Sequence, residues 1–160
     1  MNSTMLRRTH HTSISHVDTL LGFDPAYTLL YKIGSGLGCT IRQLLSLKVK
    51  DIRNQTCLKM HVGPLHVLRS WHVPSSLQNE IRAYTAGRSG SDPLFTLSDG
   101  VEISEDMIPS HFEDIGVVNG SFLPIVMKTY YEKTGDLDYP MHMMTMPLDS
   151  ARVLLDSINQ

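Results

Sequence analysis

Four side chains able to hold a phosphate lie close together in this chain: Lys48, Lys50, Arg53 and Arg69. Lysine offers a point charge, whereas arginine offers a planar fork of N–H donors that can grip two oxygens at once. His66 and His72 sit among them and add positive charge mainly under acid conditions. Arg42 precedes the group and Lys128 follows it far downstream. This set would suit contact with a nucleic-acid backbone, or simply a solvated rim. Tyr130, Tyr131 and Tyr139 open a second chemistry, in which a phenolic oxygen attacks a phosphodiester while cations stabilise the developing charge. A lone tyrosine with an ordinary pKa near 10 is a poor nucleophile without such cations.

Two other stretches resemble cofactor sites and are read otherwise. Gly34, Gly36 and Gly38 could cradle a phosphate, but no strand precedes them and no Lys-Ser/Thr pair follows. They read as a sharp helix-to-helix turn. Met141, Met143, Met144 and Met146 surround His142 and could offer thioethers to a soft metal. Core filling is the expected role, with an adaptable protein-contact surface as the alternative. No metal and no cofactor is expected. Trp71, between Val67 and Val73, reads as a core or interface anchor, with base stacking as the other possibility.

Composition narrows the classes. The 160 residues suit one domain with an ordinary core. Hydrophobic content of 41% and charged content of 19% describe a globular chain. The net charge of −2 gives no overall basic signature, so any anion-binding face must come from local clustering. Cys39 and Cys57 lack metal-ligand spacing and read as buried free thiols, favouring a reducing, cytoplasmic setting. No apolar run approaches the roughly 18 residues that span a bilayer, and no signal-peptide pattern follows Arg7 and Arg8.

The elements that position these residues follow from periodicity and punctuation. Residues 1 to 14 read as a flexible polar arm, and the domain runs from 15 to 160. A short helix is expected over Ser15 to Leu21, and another from Pro25 to about Ile33, capped by Asp24. After the glycines a helix runs from Thr40 to Leu47, with Leu44, Leu45 and Leu47 toward the core. Three strands are expected at Val49 to Arg53, Cys57 to Val62 and Val67 to Val73, broken at Asn54-Gln55 and Gly63-Pro64. Helices follow at Ser76 to Thr85 and from Ser104 through Ile115. A loop spans Val117 to Leu123. A long helix runs from Pro124 to Thr134, stopped by Gly135. A Met-rich helical piece covers Leu137 to Met146, and a last helix Asp149 to Ile158. The class is α+β, mainly α: a helical bundle with a small three-stranded antiparallel sheet.

In that order, several segments resemble the catalytic domain of the tyrosine recombinase (phage integrase) family, across roughly residues 16 to 158. LGCTIRQLLSLKVKDI is similar to the family's first arginine box, TGLRxSELLxLxxxDI. HVGPLHVLRSWHVP lies where the family has its β-hairpin, and GSDPLFTLSDGVEIS resembles the segment that follows. PIVMKTYYEKTGDLDYPMHMMTM lies over the family's HxLRHTFATxLLxxGxDLxxIxxLLGH. The resemblance implies a recombinase-like fold lying along double-stranded DNA, with Arg42, Lys48, Lys50, Arg53, His66, Arg69 and Lys128 as contact residues. It also implies exchange of the last helix between protomers, or its return in cis. The family places a further DNA-reading domain before this one, and the sequence in hand does not contain it.

Carried over position by position, the family's catalytic groups are missing. Its first arginine falls on Thr40, its hairpin lysine near His66, and its histidine–arginine pair on Pro124 and Met127. Its second histidine falls on Met146 and its tyrosine nucleophile on Leu155. Arg42 lies about 200° around a helix from Thr40, and Lys128 about 100° from Met127. The expectation is therefore a DNA-binding protein without strand-cutting activity, a regulator from a phage or other mobile element. Two alternatives stay open. One is an active recombinase with a displaced site built from Arg42, His66, Lys128 and one of the three tyrosines. The other is a protein-interaction module built on the Met-rich segment and the last helix.

Overall fold

The computed structural model describes residues 24–144. It has the expected α+β character, with about half of the described residues helical and one two-stranded antiparallel sheet. In order come α1 (Pro25–Leu37), α2 (Ile41–Leu45), α3 (Val49–Ile52), β1 (Cys57–Val62), β2 (Val67–His72) and α4 (Ser75–Tyr84). Two 3-10 turns, Glu105–Met107 and Ser110–Ile115, lead to α5 (Leu123–Thr134) and α6 (Asp138–Met144). The expected arm, the helix over Ser15 to Leu21, Met146 and the helix at 149 to 158 lie outside the described residues, as does its exchange between protomers.

Helix α1 is the post around which the rest packs. Asp24 starts it, its carboxylate accepting the Ala26 N–H at 3.1 Å, and Pro25 supplies a preset φ. Leu29, Leu30, Ile33 and Leu37 are buried along it. Full burial of each such side chain is worth roughly 1.5–3 kcal/mol relative to exposure. Tyr27 and Tyr31 meet Phe112 edge-on, and Phe112 meets Phe122 in the same way. The expected turn at Gly34 and Gly36 is instead the last third of this helix. Both glycines are there because aromatic rings lie on them: a β-carbon at Gly34 would stand 2.5 Å from Phe122, and one at Gly36 2.1 Å from Trp71. Only Gly38 makes the turn, with φ +77° and its N–H donated to the Gly34 carbonyl at 2.8 Å.

The expected strand at Val49 to Arg53 is a turn of helix, so among the described residues the sheet has two strands, not three. Asp51 draws the chain into that turn by accepting the Lys48 N–H at 2.8 Å. The preceding backbone pairs elsewhere: Leu94 N–H reaches the Leu47 carbonyl, and Val49 N–H the Asp92 carbonyl. The ribbon β1–β2 pairs from Cys57↔His72 to Val62↔Val67 and lies against α1. The continuous helix expected from Ser104 to Ile115 is split because Pro109 holds Ile108 extended. The loop at 117 to 123 contains a tight hairpin, with Asn119 and Gly120 both at positive φ and Val118 and Ser121 exchanging hydrogen bonds. That hairpin pairs with Thr40.

Candidate nucleic-acid interface

The seven expected contact residues fall in several places. Arg42 is on α2, its side chain 82% exposed, and its Nε meets Glu105 at 2.9 Å. Lys48 and Lys50 are exposed at the start of α3, and Arg53 closes that turn with Nη2 donating to the Arg88 carbonyl at 2.6 Å. Arg88 in turn donates to the Pro93 carbonyl and lies over the Tyr84 ring. Arg53 is thus half-buried and engaged in holding the loop after α4. His66 sits at the ribbon tip with φ +53°, exposed, its N–H on the Gly63 carbonyl. Arg69 lies on β2 with Nη2 3.0 Å from the Gly36 carbonyl. Lys128 pairs with Glu132 one turn along α5, at 3.3 Å.

The positions equated with catalytic groups do structural work. Thr40 caps α2 in a reciprocal pair: its Oγ1 accepts the Gln43 N–H at 3.0 Å, and Gln43 Oε1 accepts the Thr40 N–H at 2.9 Å. Pro124 is buried at the start of α5, and Met127 is fully buried in the core. Met146 and Leu155 lie outside the described residues. Tyr130 has its pKa raised, first by desolvation and then by Asp136, which accepts its hydroxyl at 3.3 Å. That is the wrong direction for an ionised nucleophile. Arg42 and Tyr130 line separate pockets.

The ribbon itself carries a group that residue-by-residue reading passed over. Its exposed positions are Cys57, Lys59 and His61 on β1 and Leu68, Ser70 and His72 on β2. They pair across the ribbon as Cys57↔His72, Lys59↔Ser70 and His61↔Leu68, so they share one face. No Asp or Glu occurs between Asp51 and Glu80, while that interval holds Arg53, Lys59 and Arg69 and three histidines. By contrast, the chain between Arg88 and Lys128 has seven acidic residues and no Lys or Arg. This segregation, with period-two alternation from Cys57 to Val62, was the available signal for Lys59 and His61. An antiparallel two-stranded ribbon is one of the shapes that enter a DNA major groove.

Comparison with family models, curated proteins and solved structures finds no match to this chain. A cleft of about 740 Å³ is lined by Asp24, Asp92 and Glu102 with Arg88 as its cation, the wrong balance for a phosphate. Among the described residues, no three His, Cys, Asp or Glu side chains gather where they could hold a metal. None of the described helices is long and apolar enough to cross a membrane. Cys39 is buried as expected, but Cys57 is exposed because it begins β1 on the ribbon's solvent face.

Proposed function

We propose that this chain binds double-stranded DNA without cutting it, through the solvent face of the β1–β2 ribbon. The observation that carries the reading is the acid-free ribbon, which presents Lys59, His61 and His72 on one face and His66 at its tip. Lys48 and Lys50, exposed on α3, would extend the contact along the backbone. The fold we propose is that of a tyrosine recombinase catalytic domain, on the strength of the segment resemblance. Loss of cutting chemistry is supported by Thr40 acting as a helix cap and Met127 lying in the core. The setting implied is a regulator from a phage or other mobile element, acting in the cytoplasm.

The test is anisotropy of a labelled duplex of about 25 base pairs across a salt series. Three or four phosphate contacts give a slope of about −3 to −4 in log affinity against log salt. Replacing Lys59 and His61 together by glutamate weakens binding by at least about tenfold, since each places a carboxylate against phosphate. Absence of binding to any duplex at about 20 mM salt overturns the proposal.

A second reading has one observation in its favour. Leu65 and Leu68 stay 47% and 56% exposed on the same ribbon, which suits a protein partner. It predicts a stable oligomer or hetero-complex that Leu68→Ser disrupts, with no retardation of DNA.

A further inference from the structure

Between the end of α1, strand β2, the outer face of α5 and the start of α6 lies a groove of about 360 Å³. Its polar and aromatic lining includes Arg69, Trp71, Tyr130, Lys133, Tyr139 and Ser35. The duplex reading through the ribbon's solvent face does not use this groove, and Arg42, His66 and Lys128, which a displaced cutting site would need, do not line it.

The groove is unusual in its charge. Arg69 is half-buried, yet among the described residues no carboxylate pairs with it. Its Nε and Nη2 both point at a single acceptor, the Gly36 carbonyl, at 3.4 and 3.0 Å. A guanidinium has five N–H donors, so three are left for whatever enters. Burial lowers the Arg69 pKa, and the nearby Tyr139 pulls it back up. A partly buried cation without an anion is a costly arrangement, and an incoming oxyanion relieves it. Lys133 adds a second positive charge at the outer end, in the last turn of α5. No Asp or Glu is among the described residues lining the groove, and Asp136, bonded to the lining Tyr130, is engaged by the Tyr130 hydroxyl and the Asp138 N–H.

The walls suit a flat group. Tyr130 and Tyr139 stand with ring centroids 4.9 Å apart, and the Trp71 indole faces the same space from β2. Such π-faces stack on a nucleobase at roughly 1–3 kcal/mol per base. The volume is at the small end of the range for small-molecule sites. We infer that this groove binds a single nucleotide, its phosphate on Arg69 and Lys133 and its base against the Trp71 and Tyr139 rings. The nucleotide is either free or the 5′-phosphorylated end of a DNA strand; the chemistry recognised is the same.

Trp71 is the chain's only tryptophan, so the site reports on itself. Titration with dAMP, exciting at about 295 nm where the base does not absorb, should quench its emission saturably. Deoxyadenosine and inorganic phosphate, each lacking half of the recognised group, should act at least about tenfold more weakly. Arg69→Gln should abolish the response. Because Arg69 also holds the Gly36 carbonyl, Lys133→Gln on exposed α5 is the second variant; it should weaken dAMP about fivefold with an unchanged circular dichroism spectrum. A 5′-phosphorylated oligonucleotide that displaces dAMP, where its 5′-hydroxyl counterpart does not, marks the strand end as the source. Failure to displace marks the free nucleotide. The inference is overturned if dAMP gives no saturable change up to about 10 mM. It is also overturned if phosphate alone matches dAMP, or if Lys133→Gln responds like the unaltered chain.

Discussion

The Trp71 indole lies on the bare backbone of Gly36, so close that a β-carbon there would stand 2.1 Å from Cζ2 and 2.2 Å from Cε2. The same residue offers its carbonyl to Arg69. Gly36→Ala should gain about 1 kcal/mol of helix propensity but lose more by displacing the indole, where overpacking typically costs about 1–3 kcal/mol. The expected outcome is a lower melting temperature, by about 2–4 °C per kcal/mol of net loss, with altered tryptophan emission.

An arginine at position 127, where the resembled family has one, should unfold the protein rather than confer cutting activity. Met127 is fully buried, and an unpaired guanidinium there has nothing to meet it. Met127→Arg should cost more than about 3 kcal/mol, read as loss of the cooperative thermal transition. The unaltered chain should form no covalent adduct with nicked duplex in denaturing gels. An adduct lost on Tyr139→Phe or Tyr130→Phe would establish the displaced-site alternative instead.

Thr40→Ala removes one half of a reciprocal cap. A loss of about 1 kcal/mol is expected, visible in chemical denaturation. Thr40→Ser should retain most of it, because the hydroxyl that accepts the Gln43 N–H is kept.

The two thiols should behave differently. Burial pushes the Cys39 thiol up to about 12 from its ordinary 9.0. A colourless disulfide reagent at neutral pH should therefore label exposed Cys57 quickly and Cys39 only after unfolding. The sign for stability follows from the raised value. The contribution of Cys39 is fully present below pH 9 and is lost as pH rises toward about 12, because the unfolded chain releases that proton first. Cys39→Ala should flatten this alkaline decline in a series of denaturation curves.

Arg42 and Lys59 separate two views of the charged surface. Arg42 is paired with Glu105, whereas Lys59 has no ion pair among the described residues. Lys59→Ala should weaken duplex binding severalfold and reduce the salt slope by about one contact. Arg42→Ala should leave both affinity and melting temperature nearly unchanged.

Local punctuation was legible in the sequence. Asp24-Pro25 starts α1, Gly63-Pro64 breaks the ribbon, and Gly135 ends α5 with φ +72°. Two features were not legible, each for a tertiary reason. Gly34 and Gly36 look like a turn but lie inside a helix, because the rings that require them come from Phe122 and Trp71, remote in sequence. Val49 to Ile52 has strand composition, yet its neighbours pair with a loop more than 40 residues downstream. Asn119-Gly120 is a strong hairpin signal inside what reads as a plain loop. For the candidate interface, listing cations by type found Lys48 and Arg69 but missed Lys59. What distinguishes Lys59 is the absence of acids around it and its place in the strand's alternation.

One amide group has a reach beyond its own helix. Gln43 holds the Thr40 N–H with its oxygen, and with its nitrogen donates to the His61 carbonyl on β1 at 2.7 Å. A single planar unit thus spans a helix start and a strand, and neither end can rotate without releasing the other. Hydrogen–deuterium exchange at Thr40 should slow when a ligand clamps the far strand, making that one amide proton a remote gauge of occupancy.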